Sequence, residues 1–565
     1  MLTSFTRLME TTLNNSFAMI IPEIILLAFA CVLILVSCFG VQKKTLVDVL
    51  TILGLLFALL VSLPMIPTRL VYTESNIPKT FSILQFDFLG FFLAPTIYLL
   101  GLLLWLFIYY EKTAHAAEYQ SGFLVMIAGV SLVSRANDLV LLWLALEMLS
   151  IPTYIMLYLP SRHRKTGQEA TIKYFVLSIL SSAFLLFGFS YLYGMTGATN
   201  LQSITYLMES YGSGDYANLM LISLVMIVAG LGFRITAFPF HFYAPDVYQT
   251  APISMVAILS TLPKIAGFVA LIRILGLIHL SPDMSPALIH SLLIFLWVLC
   301  AITMTVGNML ALRQENLRRL IAYSGVAHSG YMLLGICTQP LAHGVNIPIS
   351  LDLADNQFLF FPTPSILFYM IAYSGMTLGF LAVLLSLKGD EQIPERIDDL
   401  SGLHETHPYL AFAMLIFLLS LIGLPLTSGF MGKFMLIYDL LSAPNDHQMS
   451  GWYQTLAVVT VLNAAVAAYY YLKIIGVMYL RNSFQKGLKT GFTFASCAIL
   501  FCTIITLGLG IYPSPVISLT KEAMVTPVNS SRDFISSIKE IPILDKNIFI
   551  PVPNNPPPNM LPKKK

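Results

Sequence analysis

Apolar residues fill long runs of this chain, and polar residues are concentrated in the short segments between them. About fourteen runs, single or made of two abutting pieces, reach the ~18 residues that cross the hydrocarbon of a bilayer as a helix. We therefore predict an all-α polytopic membrane protein with about fourteen transmembrane helices. The predicted spans, numbered 1 to 14, are 17–39, 45–65, 86–110, 121–136, 138–159, 169–194, 217–238, 251–279, 289–311, 317–338, 364–387, 409–441, 453–480 and 491–512.

Two of these spans contain helix-breaking residues. Span 7 and the segment after it read GLGFRITAFPFHFYAPDVYQTAP and break around Pro239 and Pro245, and span 12 reads LIGLPLTSGFMGKF, with Pro425 and Gly429. The two spans lie five apart, an odd number, so spans 4–8 and 9–13 would have opposite orientations if they are repeats. Paired broken helices in inverted repeats are typical of ion-coupled transporters.

The connecting segments divide the chain into five predicted parts. The last of them is rich in Pro, ends in Lys and contains no span, which favours an extended or disordered tail. The parts are the N-terminal helices 1–3 (1–120), the first repeat (121–279), the second repeat (280–480), helix 14 (481–512) and the tail (513–565). The segment 339–363, which we call the 339–363 insertion, is a longer loop that contains Gly, Pro and Asn.

The composition supports the membrane assignment and excludes several other classes. The chain is 57% hydrophobic and 11% charged, with a mean hydropathy of +0.79, whereas a soluble protein has about a quarter of its residues charged. The net charge of +2 gives no indication of nucleic-acid binding. The six Cys fall inside apolar runs without paired spacing, and nucleotide-binding and haem-attachment motifs are absent, so we expect no metal or redox cofactor in this chain. The N-terminus lacks a basic segment and a cleavage site, so span 1 is predicted to be retained.

The distribution of Lys and Arg predicts the orientation. Fourteen of these cations lie in loops after odd-numbered spans, and four lie at the N-terminus or after even-numbered spans: Arg7, Arg69, Lys79 and Arg135. The positive-inside rule then places the first set in the cytoplasm or mitochondrial matrix. Both termini and the loop 66–81 are predicted to face the periplasm or intermembrane space.

Six cations remain inside or at the edge of apolar spans: Lys173, Arg234, Lys264, Arg273, Lys433 and Lys473. Glu147, in LLWLALEMLSIPTY, is their one clearly central carboxylate companion. Ionisable groups at membrane depth are costly and usually mark an ion or proton path. This set indicates movement of a small cation, most simply a proton.

Each buried charge has a functional and a structural interpretation. Glu147 either pairs with Arg234 or bonds a neighbouring helix. Lys264 and Lys433 can release a proton when removed from water, whereas Arg keeps its charge; a Lys can also extend its ammonium to the interface.

The remaining candidates are weaker. His241 and His328 are candidate relay groups, although a buried His is often only hydrogen-bonded. Lys173 is placed near the path, and Arg273 and Lys473 are interpreted as structural or water-facing.

Four stretches together resemble a known family. They are similar to the antiporter-like membrane subunits of respiratory complex I, the NADH:quinone oxidoreductase. The four stretches are the span 7 sequence above, LPKIAGF, GNMLALRQENLRRLIAYSGVAHSGYMLLG and GLPLTSGFMGKF. EATIKYFVLSILSSAFLLFGFSYLYGMTGATNL resembles subunit 2 of that family, called subunit N in bacteria. The resemblance covers roughly residues 15–515. It implies fourteen helices with two inverted five-helix repeats, and functional residues at Glu147, Lys264 and Lys433. The Lys usual in the family's seventh helix is Arg234 here.

The resemblance implies a proton-translocating subunit of a respiratory complex. Flavin, iron–sulfur clusters and quinone are then expected in partner subunits, and the location is a bacterial plasma membrane or the mitochondrial inner membrane. A subunit of a multi-subunit cation/proton antiporter or of a membrane-bound hydrogenase is the alternative, because both share the module. A third possibility is a scaffold that does not pump, to which Arg234 gives some weight.

Overall fold

The computed structural model describes the chain in segments, and these are residues 2–40, 43–63, 83–85, 87–110, 115–161, 165–205, 217–279, 286–338, 358–360, 364–387, 394–442, 450–482, 494–523 and 525–527. The predicted 66–81 loop, most of the 339–363 insertion and residues 528–565 of the predicted tail lie outside them.

The described residues are almost entirely helical. Spans 1 to 6 are Leu2–Cys38, Lys44–Ser62, Phe88–Ile108, Ala116–Arg135, Leu139–Ser161 and Lys165–Thr196. Span 7 consists of Ala217–Arg234, the 3-10 turn Phe240–Phe242 and the short helix Tyr243–Thr250. Spans 8 to 11 are Ile253–His279, Pro286–Ala311, Leu317–Cys337 and Pro364–Ser386. After the turns Ile397–Leu400 and Leu403–Thr406, span 12 consists of Pro408–Ile422 and Ser428–Leu441, and spans 13 and 14 are Ser450–Leu480 and Phe494–Ile511.

The predicted number of spans is confirmed. Thirteen helices within the described ranges are long and apolar enough to cross a membrane, and span 12 adds a crossing made of two shorter halves. Spans 8 and 10 are buried over their whole apolar length, whereas only a third of the apolar length of spans 1, 6, 13 and 14 is buried. The chain is therefore an integral membrane protein in which the central spans are shielded from lipid by the outer ones.

Helix packing is the same in the two repeats. Span 4 packs against spans 5 and 8, and span 9 packs against spans 10 and 13. Span 6 packs against the first part of span 7, as span 11 packs against both halves of span 12. Each of these contacts in the first repeat thus has its counterpart five spans later. Because five is odd, the two repeats are inverted relative to each other.

The breaks in spans 7 and 12 occur where the backbone leaves helical angles. Span 7 stops at Arg234, and Thr236 has a positive φ of 57°. Span 12 is interrupted between Ile422 and Ser428, with positive φ at Gly423 (92°) and Leu426 (70°).

Gly429, which we predicted to be part of the span 12 break, lies inside the second helical half. A Cβ there would come within 1.9 Å of the Ser420 carbonyl oxygen. Gly429 therefore allows the two halves to approach each other and does not itself interrupt the helix.

The C-terminal tail begins differently from our prediction. Instead of an extended or disordered chain, Ser514–Ala523 forms a helix that packs against spans 3 and 11. Its buried residues, Thr520 and Ala523, are three positions apart and so share one face. Strand β2 (Val525–Pro527) then pairs antiparallel with strand β1 (Phe358–Phe360) from the 339–363 insertion. The Pro content of the tail hid this short amphipathic pattern.

Candidate functional site

Lys264 lies in the middle of the protein, on span 8. Its side chain is buried, and its ammonium donates to the Gly325 carbonyl oxygen of span 10 and, over 3.2 Å, to the Tyr373 hydroxyl of span 11. The same nitrogen lies 4.7 Å from the centre of the Tyr373 ring. A Cβ at position 325 would lie 2.8 Å from the Lys264 ammonium nitrogen, so any larger residue there would displace this ammonium.

His328 lies one helical turn beyond Gly325 on span 10 and is buried. Its Nδ1 is 2.7 Å from the Tyr369 hydroxyl, and its Nε2 is 3.3 Å from the Tyr471 hydroxyl. The imidazole ring centre is 5.2 Å from that of Tyr373, the residue that contacts Lys264. Because each ring nitrogen faces a hydroxyl, the imidazole can accept a proton on one side and donate one on the other.

Lys433 lies at the other end of this arrangement, in the second half of span 12. Its ammonium donates to the carbonyl oxygens of Leu421 (2.8 Å) and Ile422 (2.9 Å), at the end of the first half. The break leaves these carbonyls without helical partners, and the helix dipole makes that end negative. The same nitrogen lies 4.9 Å from the centre of the Tyr331 ring, which is 5.6 Å from the His328 ring.

The structure thus brings three predicted site residues into one line, which we call the central row: Lys264, His328 and Lys433, joined by Tyr373, Tyr369 and Tyr331. All six side chains are buried. Within the row, the hydroxyls of Tyr373 and Tyr369 contact Lys264 and His328, and such hydroxyls can both donate and accept a proton. Tyr331 contacts Lys433 and His328 with its ring. Sequence reasoning missed the tyrosines. Their signal was the pair Tyr369 and Tyr373, four residues apart inside an apolar span, because a buried Tyr hydroxyl needs a partner.

Glu147 and Arg234 form a second group beside this row. The Arg234 Nη2 is 3.3 Å from Glu147 Oε1, and its Nη1 donates to the Ser150 hydroxyl over 2.9 Å. The Ser182 hydroxyl also donates to Glu147. Arg234 is 3% exposed and Glu147 19%, so a guanidinium that cannot lose its charge is balanced by one carboxylate. The predicted contact between these two residues is present.

Gly267 connects the ion pair to the central row. A Cβ at Gly267 would lie 3.3 Å from the Arg234 Cβ, which means that span 8 approaches Arg234 closely at this point. Lys264 is three residues earlier on the same helix and lies on the same face. Arg234 therefore lies against the turn of span 8 that follows Lys264, whose own ammonium contacts spans 10 and 11.

His241 and Lys173 are placed elsewhere. His241 is buried against Phe238 and Phe242, and neither ring nitrogen has a hydrogen-bond partner among the described residues. Lys173 is 43% exposed and pairs with Glu169 (2.8 Å) and Asp246 (2.9 Å). The structure brings neither residue into the central row.

Asp246, on the short helix after the span 7 break, is held from two sides. Lys173 donates from span 6 and Arg319 from span 10, the latter over 2.8 Å. The two cations together neutralise this partly exposed carboxylate. The carboxylate thus ties span 7 to both repeats.

Two further buried ion pairs involve carboxylates that sequence reasoning did not single out. Arg135, which we counted as a loop cation, is buried and lies 3.2 Å from Glu23 of span 1, which also accepts from Ser131 and Tyr98. Arg273 pairs with Asp87. Helical spacing cannot reveal pairs between spans so distant in sequence. Lys473 is exposed on span 13.

No metal site is evident in the part of the chain that the structure describes, because no three His, Cys, Asp or Glu side chains lie close enough to bind an ion. The chemistry that the described residues support is proton exchange between nitrogen and oxygen groups.

Comparison with known proteins identifies relatives along most of the chain. The family model described as NADH:quinone oxidoreductase/Mrp antiporter, transmembrane, matches residues 136–346 and 361–503. NADH-quinone oxidoreductase subunit N 2 of Solibacter usitatus is 35% identical over 412 residues, which cover 73% of this chain and 76% of the relative. NADH-quinone oxidoreductase subunit N of Nitrosomonas europaea is 32% identical, covering 89% and 97%.

A solved structure shares the fold. A chain of respiratory complex I from Thermus thermophilus with bound aureothin superposes with a TM-score of 0.68 at 27% identity, covering 89% of this chain and 99% of that one. The matched part begins after span 4 and contains spans 5 to 13, including both broken spans.

Proposed function

Because the chain belongs to the NADH:quinone oxidoreductase/Mrp antiporter transmembrane family, we propose that it translocates protons as a membrane subunit of an NADH:quinone oxidoreductase. Its relatives over nearly the full length are named as subunit N of that enzyme. Flavin, iron–sulfur clusters and quinone bind in partner subunits, and this chain carries no electron. It lies in a bacterial plasma membrane or a mitochondrial inner membrane.

The central row is the observation that carries the proposal. Lys264 and Lys433 lie at its two ends, and both are held by neutral groups: carbonyl oxygens, a hydroxyl and aromatic ring faces. No carboxylate contacts either ammonium among the described residues. A Lys in such surroundings loses its proton more easily than a Lys paired with a carboxylate. His328 between them passes the proton through its two nitrogens.

The Glu147–Arg234 pair controls the row by its charge. When Glu147 is ionised it neutralises Arg234, and the positive potential at the neighbouring Lys264 is small. When the pair separates or Glu147 is protonated, Arg234 repels a positive Lys264 and promotes release of its proton. A movement or charge change in a partner subunit that reaches Glu147 would thereby drive proton transfer. Arg234 suits this role because it stays charged.

A substitution that keeps charge and removes proton release tests the proposal. Lys264→Arg and Lys433→Arg should each lower NADH-driven proton uptake in sealed vesicles, normalised to assembled complex, because guanidinium does not release its proton. Lys165→Arg, at the exposed start of span 6, is the matched control and should pump normally. Normal pumping by both buried variants would show that these lysines act as fixed charges and would refute the proposal.

The alternative is a subunit of a multi-subunit cation/proton antiporter, which the family description also includes. Purification separates the two. Flavin and iron–sulfur subunits should accompany this chain in the oxidoreductase, and their absence from an active complex would favour the antiporter.

A further inference from the structure

Asp439 is a carboxylate in the second half of span 12 that the proposed function does not use. Its side chain is half-buried and accepts a hydrogen bond from the hydroxyl of Ser365, which is itself buried in the first turn of span 11. Carboxylates on membrane helices are costly and are commonly kept for proton or ion movement. A structural explanation also exists, since a negative charge beside the start of span 11 would stabilise that helix.

Span 11 connects this carboxylate to the central row. Ser365 and Tyr369 are four residues apart and therefore lie on the same face of the helix, about 6 Å from each other. The Tyr369 hydroxyl is 2.7 Å from Nδ1 of His328. The Tyr369 ring also packs directly on span 12 beside Lys433, because a Cβ at Gly432 would lie 2.2 Å from its Cδ2. Tyr369 and Ser365 are one helical turn apart, so a proton path between them needs a water molecule to cross this gap.

The other side of Asp439 leads towards the surface. The terminal helix Ser514–Ala523 packs against span 11 and is followed by strand β2, whose partner β1 directly precedes span 11 in the sequence. Its exposed Lys521 lies within electrostatic range of Asp439. The polar groups His328, Tyr369, Ser365 and Asp439 thus form a line from the protein centre to a water-accessible end. In the orientation predicted from Lys and Arg, that end is the periplasmic or intermembrane-space side.

We propose that Asp439 is the proton-carrying residue through which the central row releases protons to that side. The inference rests on the proposed function. In one turnover a proton leaves the row through Tyr369 and a bridging water, which each receive one proton and pass one on. The Asp439 carboxylate accepts it with Ser365 as neighbour, becomes a neutral acid, and then releases it to water. The carboxylate returns to its ionised state, and no other group is changed.

The test uses the intact complex in sealed vesicles and measures protons moved per NADH oxidised. Asp439→Asn keeps the hydrogen-bond acceptor for Ser365 but not the ionisable group. It should assemble normally and lose as much pumping as Lys433→Arg. The double variant Asp439→Ser with Ser365→Asp exchanges the two side chains and so places the carboxylate on span 11. It should pump more than Asp439→Asn. Glu315→Gln, on an exposed loop before span 10, is the matched control and should have no effect.

Each outcome decides between the explanations. If Asp439→Asn assembles and pumps like the parent while Lys433→Arg is impaired, Asp439 is structural, and the inference fails while the proposed function stands. If Lys264→Arg and Lys433→Arg both pump normally as well, the proposed function fails first. If Asp439→Asn does not assemble, the test uses Asp439→Glu and the double variant Asp439→Ser with Ser365→Asp, which both keep a carboxylate. If either of these variants assembles but does not pump, the inference is overturned.

Discussion

Buried arginines and buried lysines have different kinds of partner in this protein. Three buried arginines each contact a carboxylate: Arg135 with Glu23, Arg234 with Glu147 and Arg273 with Asp87. The two buried lysines of the central row contact neutral groups only, within the described residues. A charge that cannot be lost must be balanced in low dielectric, whereas a Lys can lose its charge and needs no permanent counter-ion. This division separates fixed charges from mobile protons.

At this scale the first prediction concerns Glu147. Glu147→Gln leaves Arg234 without a counter-charge, which should destabilise the subunit by about 3 kcal/mol, the low end for a buried pair because Glu147 keeps some exposure. Assembly and pumping should both fall. Glu169→Gln, which removes an exposed partner of Lys173, should change little. The measurement is the amount of assembled complex on native gels together with proton uptake.

A double variant identifies the cause of that loss. With Arg234→Gln added, the unpaired charge disappears, so assembly should recover relative to Glu147→Gln alone, while pumping stays low. If the double variant instead loses as much assembly as Glu147→Gln and Arg234→Gln lose together, the two residues are not energetically coupled.

The candidate residues were only partly predictable from the sequence, for a physical reason. Glu147, Arg234, Lys264 and Lys433 could be singled out because a charge inside an apolar run is conspicuous. The tyrosines gave only a weak signal, their spacing within an apolar span, and Glu23 gave none, because a carboxylate near a helix end resembles a surface residue. Only packing between distant spans shows that their polar atoms meet buried partners.

At the scale of elements, the two broken spans place the cations. Lys433 reaches the unpaired carbonyls of Leu421 and Ile422 only because span 12 is interrupted between its halves. Arg234 is the last helical residue before the span 7 break. Pro and Gly predicted both interruptions, but the role of Gly429 became evident only from the close approach of the two halves.

The close approach at Gly429 gives a prediction for span 12. Gly429→Ala adds a methyl group against the Ser420 backbone and forces the halves apart, which should cost about 1–3 kcal/mol. Because Lys433 is one turn further on, its bonds to the first half should weaken and pumping should fall even in assembled complex. Gly476→Ala, on span 13 with no atom near the added methyl, should be neutral. Thermal stability and proton uptake of the two variants check this, and equal behaviour would contradict it.

At the scale of the whole molecule, the inverted repeats and the orientation in the membrane decide the direction of transport. The count and pairing of spans followed from hydropathy and from the spacing of the two breaks, because both depend on residues close in sequence. The sequence did not predict that the terminal helix Ser514–Ala523 packs on spans 3 and 11, because that contact depends on a surface that forms only after the spans have packed.

The orientation is predicted from the distribution of Lys and Arg, with fourteen in loops assigned to the inner side and four at positions assigned to the outer side. Arg135 is buried with Glu23 and so leaves the outer set, which strengthens the asymmetry. A Cys at the exposed position 518 of the terminal helix should react with a membrane-impermeant maleimide from the periplasmic or intermembrane-space side. A Cys at the exposed position 405, before span 12, should react only after the membrane is opened or inverted. Both are compared with the parent chain, whose Cys31, Cys38 and Cys497 give the background. Labelling of the two positions from the opposite sides would reverse the topology, and with it the direction in which the central row delivers protons.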